Sequence, residues 1–420
     1  MAIENRGTTD APLVDKASGI LIALAMVFAN AANYGFQIVC GRLLTVEEYG
    51  LLAGFMSVVT VITVATSALQ TTAARAVAAE ENEPGGPFID GLTRSSFVIA
   101  AIMLVVTVIV SPMASRFFNI GTLPLILLGV YVAPSALDSI AVGRLQGLQR
   151  FRAMAFYSTA QASAKLALAS ILLAAGLRAT GLVAGLILSS GLVAIIGTVA
   201  SREAGSIGVH AFDPDVRRAF AAFTMLWFVL GADVLFARAF FVDTAAGLYG
   251  AAAVLGKAVL WIPAVVAQLL FPRLAKRSKH GESVAGLALR AVSVVAVVVF
   301  CSVTVLWAFG DTVFRVLYGE RYVGAADTAW KIGLAVAPLA LVNLLIVHFL
   351  ARGQGHFLGW MVVVLVGEVA ALYLGPKTDD FYATVLAASG VALLVLMVPS
   401  GAWRRETRRL LRRHQVLSTG

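Results

Sequence analysis

Residues 30–75 read NAANYGFQIVCGRLLTVEEYGLLAGFMSVVTVITVATSALQTTAAR, two apolar segments joined by the short charged turn Gly41 to Gly50. In the first segment Asn30, Asn33, Tyr34 and Gln37 recur at i, i+3, i+4 and i+7, the spacing of one helical face. In the second, Thr60, Thr63, Ser67, Gln70 and Thr71 do the same. Glu47 and Glu48 stand in the joining turn, where the positive end of the second helix's dipole favours carboxylates. Two apolar helices with polar stripes, set side by side, are expected to wall a wet cleft inside a membrane.

The rest of the chain agrees with that reading. Of 420 residues, 60% are hydrophobic and only 13% are charged, with mean hydropathy +0.89; soluble domains carry roughly 25% charged residues. The fold class is an all-α integral membrane protein. Uncharged runs continue along the whole chain, so the first is expected to remain as a span rather than be removed as a signal sequence. About twelve spans are predicted, near 18–41, 49–74, 95–117, 123–146, 152–175, 180–201, 219–241, 246–271, 286–309, 325–351, 356–374 and 381–403, each about 20 residues or more. With both termini placed in the cytoplasm, inside segments hold 22 Lys and Arg against 8 outside, with Lys165 and Lys257 inside spans. That asymmetry supports the orientation. It also accounts for most of the +9 net charge as topology, and no nucleic-acid partner is implied. The tail pairs arginines from Arg404 to Arg413 at i, i+1, i+4, i+5, i+8 and i+9, a basic face suited to the anionic inner leaflet.

An internal repeat divides the chain. Arg42, Gly50 and Arg75 are answered by Arg238, Gly247 and Arg273, at spacings of 8 and 25 residues against 9 and 26. The expected layout is two six-helix lobes, residues 1–208 and 209–403, followed by a basic cytoplasmic tail, 404–420. Six spans separate the repeats, so the lobes share one orientation, the parallel arrangement that places a binding site between them near the midplane.

Ionisable groups in hydrocarbon cost about 2.5–3.5 kcal/mol at a helix centre on insertion scales, so they face a cavity or a partner. Lys165 shares a stripe with Gln161 and Tyr157, and Lys257 with Trp261 and Gln268. Together with Asn33, Gln37, Gln70, Arg42 and Arg238 they form a candidate lining for an anion carrying sugars: cations pair the charge, an aromatic stacks on a pyranose, amides bond hydroxyls. The alternative for either lysine is an interhelical ion pair with Asp138 or Asp233. Arg42 and Arg238 have the alternative of anchoring turns at the outer interface, and Asp233 that of a salt bridge, with Arg238 five residues on. Asp138, Asp233 and Glu368 are the acids at membrane depth and are candidates for coupling to Na+ or H+. Cys40 and Cys301 have no ligand spacing. No cofactor is expected: Gly256-Lys257-Ala258 lacks the Ser or Thr that a phosphate loop requires, and no cluster has metal-ligand spacing. No nucleophile with an adjacent base is evident, so the chain is not expected to be an enzyme.

The runs GRLLTVEEYGLLAGFMSVV, DVLFARAFFVDTAAGLYGAAAVLGKAVLWIPAVVAQLLFPRLA and LYGERYVGAADTAWKIGLAVAPLALVNLL resemble the polysaccharide-biosynthesis or Wzx-type oligosaccharide flippases of the multidrug, oligosaccharidyl-lipid and polysaccharide exporter superfamily. The resemblance spans roughly residues 30–350. It implies a two-lobed transporter that moves a polyprenyl-pyrophosphate-linked glycan across the plasma membrane by alternating access, with glycan-assembly enzymes as protein partners. Twelve spans depart from the fourteen of the lipid II flippases. A cation-coupled drug or small-molecule exporter of the same superfamily is the alternative. A membrane-embedded glycan polymerase ranks below both, since the longest outside loop, Asp311 to Asp327, is too short for one.

Overall fold

The computed structural model describes residues 16–79, 89–200, 214–260, 285–351 and 353–418. Thirteen α-helices follow one another among them: α1 (Lys16–Leu43), α2 (Val46–Ala79), α3 (Ile89–Phe118), α4 (Thr122–Gly147), α5 (Phe151–Ala174), α6 (Arg178–Ala200), α7 (Pro214–Phe240), α8 (Asp243–Lys257), α9 (Ala285–Leu317), α10 (Ala326–Ala335), α11 (Ala337–Ala351), α12 (Phe357–Leu374) and α13 (Asp379–Ser418). Nine stretches among the described residues are helices long and apolar enough to cross a membrane. Among the described residues each of the twelve predicted spans falls on helix, with one division and one truncation: the tenth is α10 and α11, broken at Val336, and the eighth is described only as far as residue 260, as α8 and a short 3-10 turn after it. Pro338 lacks an amide hydrogen and crowds the carbonyl four residues back, which ends the first piece. The last helix runs on through the basic segment to Ser418.

Packing repeats with the sequence. In the first half α1 lies on α5, α2 and α3 on α4, and α4 and α5 on α6; six helices later α7 lies on α12, α8 and α9 on α10, and α10, α11 and α12 on α13. The join expected near residue 208 lies outside the described residues. Helix α2 carries the contact between halves, packing on both α7 and α8. The hairpins cross where Gly50 meets Gly247: a Cβ on Gly247 would stand 1.9 Å from the Val46 carbonyl oxygen, and one on Gly50 would stand 2.8 Å from the Gly247 amide nitrogen. Only two glycines allow backbones so close. The expected cleft between α1 and α2 is not formed as such. Helix α1 leaves α2 to lie on α5, because the small residues of α2 seat it against α7, α8 and α4.

The outward faces are apolar. Ile109, Met113, Phe300 and Trp307 are all largely exposed, on helices α3 and α9, which have few buried residues, as expected where lipid is the solvent. The polar stripe of α2 turns inward to α4: Thr66 and Ser135 hydroxyls lie 2.9 Å apart, the Gln70 amide donates to the Gln146 amide oxygen at 3.1 Å, and Thr60, Thr63 and Thr71 donate to their own helix four residues back.

Candidate functional site

Two polar clusters sit within the bundle, one in each half. In the second half the α7–α8 hairpin brings Asp233 and Lys257 together. Side chains lean towards the N-terminus of their own helix, so in antiparallel neighbours Asp233 leans away from the turn and Lys257 leans towards it. The Lys257 ammonium donates to both Asp233 oxygens, at 2.6 and 2.8 Å, and to the Leu230 carbonyl at 2.6 Å. The Tyr249 hydroxyl donates to Asp233 at 2.9 Å. Asp233 is fully buried, and a buried carboxylate needs this many partners. Glu368, on α12, is 2% exposed, and neither of its oxygens has a hydrogen-bond partner among the described residues.

In the first half the helices corresponding to α7 and α12 are α1 and α5, and they hold a cation of a different kind. The Lys165 ammonium donates to the Asn33 amide oxygen at 3.1 Å and lies 4.8 Å from the centre of the Phe36 ring. No carboxylate among the described residues pairs with it. Asp138, on α4, is instead taken by the Tyr157 hydroxyl and the Gln161 amide, both at very short range. Gln37 accepts from the Tyr49 hydroxyl at 3.3 Å, a neutral counterpart of the Tyr249 to Asp233 bond.

The residues named from sequence therefore fall into separate groups. Asn33 and Lys165 meet. Gln161 donates to Asp138 rather than bonding the lysine of its own helix, a charge-assisted bond from its amide nitrogen to the carboxylate. Lys257 has the ion-pair alternative, with Asp233 as the partner. Arg238 does not bond Asp233; it reaches Asp243 at 2.7 Å and the Asn119 carbonyl at 2.9 Å. Arg42 binds carbonyls at the end of α9. Both arginines sit at the hairpin end rather than beside the lysines. Gln70 lies on α2 against α4, away from Asn33. Trp261 and Gln268 lie outside the described residues. Among the described residues no three His, Cys, Asp or Glu side chains are placed to hold a metal ion.

Sequence reasoning missed the tyrosines. Tyr249 stands on the α8 side of the turn at about the depth Asp233 has on the α7 side, and counting outward from the turn at 1.5 Å per residue finds that match. Tyr49, Tyr318 and Tyr322 form a buried cluster between the halves at the hairpin end, with ring centres 5.5–5.6 Å apart; nothing in their spacing joins residues so far apart in the chain.

Solved structures with this fold include the lipid II flippase MurJ in an inward closed conformation, at TM-score 0.70 and 12% identity, covering 91% of this chain and 87% of that one. An inward-facing multidrug resistance MATE family transporter of the MOP superfamily aligns at TM-score 0.68 and 12% identity, over 94% and 99% of the two chains. An outward-facing transporter of that family aligns at 0.63 and 16%, over 94% and 95%. At such identities the likeness is one of fold. No curated protein sequence matches the chain. The family model described as polysaccharide biosynthesis protein matches residues 39–327, which take in the end of α1 and all of α2, both polar clusters except Asn33, Phe36, Gln37 and Glu368, and the crossing of the two halves; the chain belongs to that family.

Proposed function

We propose that the protein is a flippase or exporter that carries a polyprenyl-pyrophosphate-linked oligosaccharide across the plasma membrane by alternating access, with both termini cytoplasmic. The observation that carries this reading is Lys165, a half-buried ammonium whose partners are one amide oxygen and one ring face. A charge at membrane depth without a counter-ion is expensive. A pyrophosphate passing between the halves supplies the missing anion, and Asn33 offers an amide to the attached sugar. Family membership supports a glycan as cargo, and MurJ, which shares the fold, is a lipid II flippase. The basic tail would rest on the anionic inner leaflet, and glycan-assembly enzymes would deliver the substrate.

For coupling, Glu368 is the candidate in the second half. Both Asp233 oxygens are engaged by Lys257 and both Asp138 oxygens by Tyr157 and Gln161, so of these three acids Glu368 is the one whose oxygens lack a hydrogen-bond partner among the described residues. A metal cation needs several oxygen ligands; one free carboxyl suits H+ better than Na+. Asp138, already held by Tyr157 and Gln161, is the weaker candidate. The same orphaned carboxyl favours a second reading, a cation-coupled small-molecule exporter. The two are separated by cells lacking this protein: loss of a surface glycan with accumulation of its lipid-linked precursor supports the flippase, and an intact glycan with raised sensitivity to toxic compounds supports the second reading.

A further inference from the structure

We propose that Arg42 and Arg238 form a reciprocal latch, each capping the end of the third helix of the opposite half and so holding the hairpin end of the molecule shut. The last carbonyls of a helix lack intrahelical partners and carry the negative end of its dipole. At the end of α9 the Phe314 carbonyl is taken by the amides of Tyr318 and Gly319, at 2.8 and 3.0 Å. The remaining three go to one side chain from the other half: Arg42 donates through Nε to Leu317 at 2.9 Å, and through Nη2 to Arg315 at 3.4 Å and, at very short range, to Val316. Arg321 answers by donating to the Arg42 carbonyl at 2.8 Å, which caps α1 from the opposite side.

The other arm repeats this six helices later. Arg238 closes α7 as Arg42 closes α1, and its Nη2 donates to the carbonyl of Asn119, the residue that ends α3 in a left-handed conformation at φ 53°. Its Nη1 is held by Asp243 at 2.7 Å. Gly54 makes room for it, since a Cβ there would press on the Arg238 stem at 3.3 Å. An arginine fork spans several carbonyls at once, which a lysine cannot do.

The arrangement suits a contact that must open. Arg42 is exposed, and water can replace the main-chain carbonyls it leaves. Arg238 is buried with its Nε unpartnered, so separation of the halves gives that donor a partner it lacks when shut. Both arms therefore favour closure without making it permanent.

The test is a distance, read without substrate, so it stands or falls independently of the cargo proposed above. With Cys40 and Cys301 replaced by alanine, spin labels at Leu123→Cys in the first half and Leu374→Cys in the second, both exposed, report the separation of the halves at this end in lipid nanodiscs. The parent should show mainly the short distance. Arg42→Ala with Arg238→Ala should move the ratio of long to short distance about tenfold or more, each arm supplying charge-assisted bonds, with Arg42→Lys in between. An unchanged distribution in the folded double variant overturns the latch. If burial of Arg238 keeps that variant from accumulating, Arg42→Ala alone decides, and an unchanged distribution there overturns the proposal equally.

Discussion

The two halves share a packing plan and differ in what they place inside it. On α7, α8 and α12 the second half has an aspartate, a lysine that satisfies it and a glutamate left over. On α1 and α5 the first half has an amide and a lysine with no acid, while its own acid, Asp138 on α4, is satisfied by a phenol and an amide. The same scaffold thus yields a charge-paired cluster with a spare carboxyl on one side and an unpaired cation on the other. A pair neutralised within one hairpin holds two helices together. An unpaired cation is free to hold something that arrives. On the proposed function, substrate contact falls to the first half and coupling to the second.

The largest effect expected from breaking this contrast is at Asp233. Changing it to Asn leaves Lys257 charged and without its acid, a loss of about 3–5 kcal/mol for a buried pair with one partner removed. Protein abundance and the unfolding midpoint in detergent should both fall, and adding Lys257→Gln should recover much of the loss. Next comes Gly247→Ala, at the crossing where the halves are alike. Its Cβ would meet Val46 backbone atoms at 1.9 and 2.6 Å, and backbone cannot swing aside, so a cost of about 1–3 kcal/mol or more is expected. Gly367→Ala, with nothing within 4 Å, should be neutral or slightly stabilising in the same melt, since alanine is the better helix former. The smaller effect of the two acids is at Asp138: Asn there keeps a carbonyl for one donor and strands no cation, so about 1 kcal/mol should be lost. A loss at Asp138 as large as at Asp233 would erase the distinction between the clusters.

How far the sequence reached follows from what each feature needs. Spans need only length and composition, and among the described residues all twelve apolar runs fall on helix, the eighth described only to residue 260 and the tenth divided where Pro338 forbids continuity. The repeat needed only spacing: Gly50 and Gly247 do meet, and Arg42 and Arg238 each donate to main-chain carbonyls at the end of a helix of the other half, with Arg273 outside the described residues. Partner choice needs depth and rotation together. Lys257 had two candidate acids, and the lean of side chains in an antiparallel hairpin selects the one on the adjacent helix. Gln161 shares a helical stripe with Lys165 yet serves Asp138, because a stripe says which face a residue occupies and not which neighbour lies across from it. The bonds of Arg42 to the end of α9 join residues 273 to 275 positions apart, a contact that only the assembled halves create.

The central claim, that the unpaired cation and not the paired one meets the cargo, is tested most directly by Lys165→Gln and Lys257→Gln measured side by side for protein abundance and for surface glycan. Lys165→Gln should accumulate near the parent level with glycan export largely lost and with Lys165→Arg retaining part of it, while Lys257→Gln should lose abundance and regain it with Asp233→Asn. Full export by a normally abundant Lys165→Gln protein would contradict the account.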